Sequence, residues 1–399
     1  MPVDILAGKC FPNSDGLTIA QRGMPMSSSI SGIYKSGSRA RAIEPARSKS
    51  IEASRPALSR EELEAVLQCL IEDQIGSGSV TERLEKALAE AVGHKKALAV
   101  NSPAAAYHLA FLALEAGPTT TVWMNALTSV AALDAARYTG ASVRLLDAGR
   151  DSFHPAPEAI QAMLEELNQG DVFILDHVYG SPCEFGLDGL RAKGVHIIED
   201  ITGVLGSTMA TGESFGQAGD IMLCGLAEDD MITTGNGAFL CAAQNAIFKK
   251  MAALRYGESR DPHGIAYDYR LEDFQAAMGL HQLSRLGQMV SRRKKIGVKY
   301  LETLRLTKHQ SCFKNPGPDS YHRMPVVVAR PQEEVMRYFK ALQIGVQRIP
   351  TPLHHFLSMP PMEFPNAERL FRRAICIPVY PALTANNVER IAGSVRNLI

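Results

Sequence analysis

The chain has no excess of either charge. Its 42 lysines and arginines balance 42 aspartates and glutamates, so bulk electrostatics draws it neither to nucleic acid nor to an anionic membrane surface. No stretch approaches the roughly 18 consecutive apolar residues of a membrane span. Cysteine is sparse and scattered: Cys10, Cys69, Cys183, Cys224, Cys241, Cys312 and Cys376 form no C-x-x-C pair. An odd, dispersed set argues against a disulfide framework or a zinc ribbon and fits a reducing compartment. The N-terminus lacks a basic-then-apolar signal pattern, so secretion is not indicated and a cytoplasmic location is expected. Internal repeats are absent. What is present is an ordinary globular composition, 46% apolar and 21% charged, over 399 residues, enough for one large or two ordinary domains.

Residues 1–50 are rich in Gly, Ser, Pro and Arg without periodicity, and are expected to be a flexible extension. From Ser59 the pattern turns globular. SREELEAVLQCLIED offers Ser59 as N-cap, Glu62 as its capping-box partner, and apolar residues at Leu63, Val66, Leu67 and Leu70. A helix TERLEKALAEAVG stops at Gly93. Buried-strand runs (ALAV, TTVWMN, SVRLLD, DVFILDHV, VHIIED) then alternate with amphipathic helices, and the helix AAAYHLAFLALEAG is expected to run to Gly117. Such alternation predicts βαβ crossovers and a mostly parallel sheet, closed by IMLCGL and AFLCAA. Residues 51–247 are expected to form this large α/β domain. Residues 248–399 supply one long helical stretch from Glu272 to Leu304 and a smaller α/β domain.

The stretch from Ile197 to Ala238 carries the chemistry. Its apolar strand ends in Glu199-Asp200, Gly219-Asp220 follows, and Thr233-Thr234-Gly235-Asn236-Gly237 closes it. An acidic run, Glu228-Asp229-Asp230, lies between. This frame resembles the DegT/DnrJ/EryC1/StrS family of sugar aminotransferases, which use pyridoxal phosphate (PLP). VNSPAAAYHLAFLAL, His177-Val178-Tyr179-Gly180, YDYRLEDFQAAMGLHQLSRL, IPTPLHH and CIPVYPALT resemble further family segments in the right order. The likeness spans roughly residues 50–399. It implies a PLP-dependent transferase fold, type I, with a large domain and a small C-terminal α/β domain.

The resemblance also assigns roles, and there the sequence departs. The family's Schiff-base lysine falls on Asp230, which cannot form an imine. The Gly-Thr that would present an N–H and a hydroxyl to the phosphate, after Ser102, is Pro103-Ala104. A phosphate-binding serine falls on Gly225, the aromatic over the ring on Ser129, and a ring-side glutamine on Gly203. The asparagine that reaches the partner subunit's phosphate is Asp268. Only Asp200, the partner of the pyridinium nitrogen, is retained. Lys193, Lys249 and Lys250 are poorly placed to substitute.

The expectation is therefore a degenerate, PLP-independent relative with no cofactor. It would serve as a binding or partner subunit or a repurposed enzyme for a nucleotide-sugar ligand, in nucleotide-sugar, polysaccharide or natural-product biosynthesis. Asp230, His177 and Asp229 are its candidate catalytic groups, and Arg348 and His354 line its substrate pocket. Two readings stay open beside it. One is an active PLP- or PMP-dependent aminotransferase or dehydratase acting on a keto-sugar nucleotide. The other is a metal-assisted enzyme using the acidic run. Family active sites form at a dimer interface, so a homodimer is expected. A heterodimer with an active homologue would bring the charge of Asp268 against its partner's phosphate. His108, mid-helix among apolar residues, is expected to be a packed core histidine.

Overall fold

Short apolar runs between helices assemble the main sheet. The computed structural model describes residues 50–257, 265, 267–313 and 318–398, so the expected N-terminal extension lies, but for Ser50, outside the described residues. Strands β1 (Leu98–Val100), β2 (Thr121–Asn125), β3 (Ser142–Leu146), β4 (Val172–Asp176), β5 (His196–Asp200), β6 (Ile221–Gly225) and β7 (Ala238–Ala242) form one seven-stranded sheet. Their order is β1-β7-β6-β5-β4-β2-β3. The run from β3 to β6 is parallel, and β7 alone is antiparallel to both its neighbours. Helices cover both faces, which is why β4, β5 and β6 read as continuous apolar runs rather than alternating ones. This is the mainly parallel, mixed α/β sheet that the sequence implies.

A second sheet, β8 (Met324–Val327), β9 (Gln347–Arg348) and β10 (Ala374–Ile377), is antiparallel in the order β8-β10-β9. Its central strand, AICI, was not expected. Four apolar residues flanked by the helix Pro365–Arg373 and by Pro378 are too short for periodicity to identify.

Local signals place most helices. Ser59 and Glu62 form the capping box that opens Arg60–Ile71, with the Ser59 N–H donating to Glu62 Oε2 at 2.8 Å. Gly93, at φ +74°, ends Ser79–Val92 in the left-handed conformation that glycine adopts freely. Two differences stand out. The helix Pro103–Ala113 stops short of Gly117, the chain turning through Glu115 at φ +61°. The long stretch is broken at Arg285 into Asp273–Ser284 and Leu286–Leu304. There the Arg285 guanidinium bonds Ala57 O at 2.8 Å and the Glu62 carboxylate, tying the break to the first helix. That tie buries Glu62, while Leu63 (69% exposed) and Leu67 (52%) of the same helix face solvent.

The parallel order brings the C-terminal ends of β4, β5 and β6 side by side. Ligand crevices of open α/β sheets lie at such ends.

Candidate functional site

The side chains that leave these strand ends, with the turns after them, enclose a cleft of about 390 Å³. Asp200 closes β5 and Asp176 closes β4, and the two are direct partners in the parallel register. Partners in register point to the same face, so both carboxyls enter the cleft together. One oxygen of Asp200 accepts the Thr202 N–H at 2.8 Å, and the other accepts the Tyr107 hydroxyl. Burial pushes the Asp200 carboxyl above the usual aspartate range, partly offset by Thr202 and Tyr107. Burial and the neighbouring Asp200 push Asp176 well above it. Thr128's hydroxyl is close enough to favour the ionised form of Asp176 but makes no hydrogen bond of ordinary geometry.

The loop after β6 brings Asp229 and Asp230 of the acidic run into the cleft wall, while Glu228 does not line it. Asp230 Oδ2 accepts the Ala227 N–H at 2.7 Å, and Oδ1 lies 3.5 Å from His322 Nε2. Asp229 is paired with the Arg323 guanidinium. Burial works against the Asp229 charge, yet Arg323 and His322 hold its carboxyl below the ordinary value. Behind this wall Arg293 is buried, its Nη1 donating to Val379 O at 2.5 Å and His322 O at 3.1 Å. Burial lowers its pKa to about 10 against the pull of Asp230.

Of the expected residues, Asp230, Asp229, Asp200, His177, Pro103, Ser129, Gly203 and Gly225 are brought together around this cleft. His177 lines it with its ring already committed. Nδ1 accepts the Cys183 N–H at 2.9 Å, which leaves the proton on Nε2, 3.4 Å from Glu199 Oε1. Both nitrogens hold the fold, and neither is free to shuttle a proton. Burial opposes the Glu199 charge, but His177 and the N–H groups of Gly216 and Ala218 hold its carboxyl below the ordinary value.

Other expectations are corrected. Arg348 stands at the edge of the small sheet, exposed and paired with Glu333, away from the cleft and from the acidic run. His354 is fully buried, stacked on Phe364 at 4.8 Å with its Nε2 3.3 Å from Glu368, while Pro350, Thr351 and Phe356 reach the cleft instead. Ser102 serves as the N-cap of Pro103–Ala113, its Oγ accepting the Ala105 N–H at 3.1 Å; neither it nor Ala104 lines the cleft. Asp268 is exposed and bidentate to Arg270 at 2.9 and 3.0 Å, so its charge is balanced within its own segment. Among the described residues, the cleft's carboxylates and imidazoles do not converge three together as a metal requires. The group that does is His354, His355 and Glu368, outside the cleft. His108 packs among Tyr138, Tyr267 and Tyr269, with Nδ1 3.0 Å from the Tyr269 hydroxyl.

The cleft residues missed from the sequence include Tyr107, Thr128, Asp176, Thr202, His322 and Arg323. Asp176 had a signal, since VFILD and HIIED both end on aspartate. Using it needs the knowledge that β4 and β5 are neighbours in register. His322 and Arg323 come from a segment over ninety positions away, with no local pattern.

A phosphopyridoxyl group does not fit this donor set. No lysine lines the cleft among the described residues, and Lys250 is held outside it by Glu115. Pro103 occupies the first turn of the helix that would face the phosphate and has no N–H to give. A Cβ at Gly225 would meet Asp230 Oδ2 at 2.6 Å, so a serine there competes with the aspartate. A Cβ at Gly203 would meet the backbone of His177 and Gly180 at 2.7 Å, so no glutamine can stand beside a ring.

Known proteins resemble this chain over most of its length. GDP-perosamine synthase of Caulobacter vibrioides is 25% identical over 371 residues, covering 88% of this chain and 98% of that protein. The uncharacterised protein MJ1066 of Methanocaldococcus jannaschii is 26% identical over 375 residues, 86% and 96% of the two chains. Among solved structures, Spr1654 from Streptococcus pneumoniae in its PLP form superposes with a TM-score of 0.79 at 22% identity, covering 88% of this chain and 98% of that one. The aminotransferase TlmJ from Streptoalloteichus hindustanus gives 0.78 at 23%, covering 87% and 98%. These likenesses establish the fold, that of PLP-dependent aminotransferases. The family pattern matches residues 56–396, and the chain belongs to the DegT/DnrJ/EryC1/StrS aminotransferase family.

Proposed function

We propose that this protein is a member of the sugar aminotransferase family that works without PLP. It holds a sugar-type ligand in the rebuilt cleft, as a binding or partner subunit or as a repurposed enzyme, in nucleotide-sugar, polysaccharide or natural-product biosynthesis. The observation that carries this reading is Asp230. At the position that the family resemblance assigns to the imine-forming lysine stands a carboxylate fixed by the Ala227 N–H and facing His322. The residues at 103, 203 and 225 also depart from the pattern that the resemblance implies. The ligand class is supported by the likeness to a GDP-perosamine synthase.

The rival reading, an active PLP or PMP enzyme, draws on the family's chemistry and on the retained Asp200. Pyridoxamine phosphate separates the two, because it needs the phosphate site but no lysine. Calorimetric titration of the full chain is expected to give no saturable binding up to about 1 mM, which bounds any site at roughly −4 kcal/mol. Micromolar binding would restore the cofactor and overturn the reading.

A homodimer is proposed with it. Leu63, Leu67, Leu70 and Ile71 form an exposed apolar face on the helix Arg60–Ile71, with Leu58 and Ile75 exposed at its two ends. A contiguous face of this kind marks an interaction surface. Leu63→Glu with Leu67→Glu is expected to convert a dimer to a monomer in light scattering with the fold intact; an unchanged mass would place the interface elsewhere.

A further inference from the structure

The four carboxylates of the cleft are not equivalent. Asp229 has Arg323, and Asp230 lies 3.5 Å from His322, whose Nε2 is also 3.0 Å from the Asp229 carbonyl oxygen. Asp176 and Asp200 form no ion pair among the described residues, although they stand side by side at the ends of adjacent strands. Two adjacent carboxyls in a poorly solvated cleft cannot both stay ionised unless a cation joins them; otherwise they hold a proton. The raised titration of both is the signature of that second condition.

Two further groups in the same wall point to a ligand. Tyr179 (7% exposed) and Thr128 (4%) line the cleft, and neither hydroxyl has a hydrogen-bond partner among the described residues. Buried hydroxyls left unpartnered cost stability unless something fills them. Tyr179 is also held at φ +58°, a conformation uncommon outside glycine. The wall thus offers two carboxyls that lack a cation and two hydroxyls that lack partners.

We propose that the cleft takes a primary amine carried on a sugar-sized polyol, with the ammonium between Asp176 and Asp200 and the polyol hydroxyls on Tyr179 and Thr128. The proposal rests on the PLP-independent reading, because a pyridinium at Asp200 would claim the same carboxyl. An ammonium brings three donors and no acceptor, which suits two carboxylates and a hydroxyl oxygen. A divalent cation fits less well. Among the described residues, the cleft's carboxylates and imidazoles do not bring three ligand atoms together.

The test titrates the full chain at neutral pH with glucosamine, glucose and N-acetylglucosamine, read by ligand-observed NMR. Glucosamine is expected to bind at least about tenfold tighter than the other two, the worth of one charge-assisted contact. Asp176→Asn and, separately, Asp200→Asn are each expected to erase that preference while the variant remains folded by circular dichroism. Equal binding of the three sugars, binding of none, or a preference that survives both substitutions would overturn the proposal. Displacement of glucosamine by stoichiometric Mg²⁺ or Ca²⁺ would also overturn it, by assigning the pair to a metal. Pyridoxamine phosphate binding is measured apart: if it binds while the amine preference holds, only the cofactor reading fails.

Discussion

Gly180→Ala is expected to destabilise the protein by about 4 kcal/mol, an effect large for one methyl group. Two penalties combine. Gly180 sits at φ +86°, where a side chain is strained, and the added Cβ would lie 2.1 Å from Ser320 Oγ and 2.7 Å from His322 N. It would also stand 2.9 Å from Gly203 O, so the clash falls on backbone that cannot swing aside. The turn from His177 to Gly180 packs directly on Gly203 and on the segment carrying Ser320 and His322, and this contact shapes one wall of the cleft. Gly170→Ala is the control. It has a similar φ of +85° but open space around it, and should cost only the strain, about 1 kcal/mol. Thermal unfolding of both variants checks the difference. Equal losses would show that the close approach is not tight.

Asp176→Asn is expected to act in the opposite direction and stabilise the protein at neutral pH by about 1–2 kcal/mol, the range in which functional sites trade stability for chemistry. Burial and Asp200 raise the folded-state titration of Asp176 above its unfolded value. For such a carboxyl, the stabilising contribution is complete below the unfolded value and is lost as pH rises through the folded one. Neutral solution therefore strains the native protein, and the amide removes the strain. The gain should shrink as pH falls through the carboxylate range and vanish below about pH 3, where the wild-type carboxyl is protonated in both states. Melting temperatures of the two proteins from about pH 3 to pH 8 measure this. A variant less stable at pH 7 would mean that Asp176 is held by a partner group rather than opposed by Asp200.

The sequence made the scaffold legible because local and global preferences agreed. VFILD, HIIED and IMLCG are strand-like by composition and are buried on both faces, and Ser59, Glu62 and Gly93 state where helices begin and end. The family resemblance singled out Asp200, Gly203, Gly225, Asp229 and Asp230, and these gather around one cleft. What escaped depends on tertiary pairing. The four-residue strand Ala374–Ile377 is too short to show a period. Arg348 was drawn to Glu333 by a neighbouring helix that its own segment does not reveal. Asp176 gains meaning only when β4 lies in register with β5, and Tyr107 only when its helix sets the hydroxyl on Asp200. Leu63 and Leu67 carry the spacing of a buried face, yet Glu62 is drawn inward by Arg285 and Gln282, and the leucines point out.

On the PLP-independent reading, the cleft around Asp230 has no imine-forming group. The most direct test incubates the purified full chain with PLP, records the absorption spectrum, reduces with borohydride and measures the intact mass and peptide map. No aldimine absorption and no stoichiometric pyridoxyl adduct are expected. A single adduct at full occupancy on one lysine would contradict this reading and identify the residue that forms the imine.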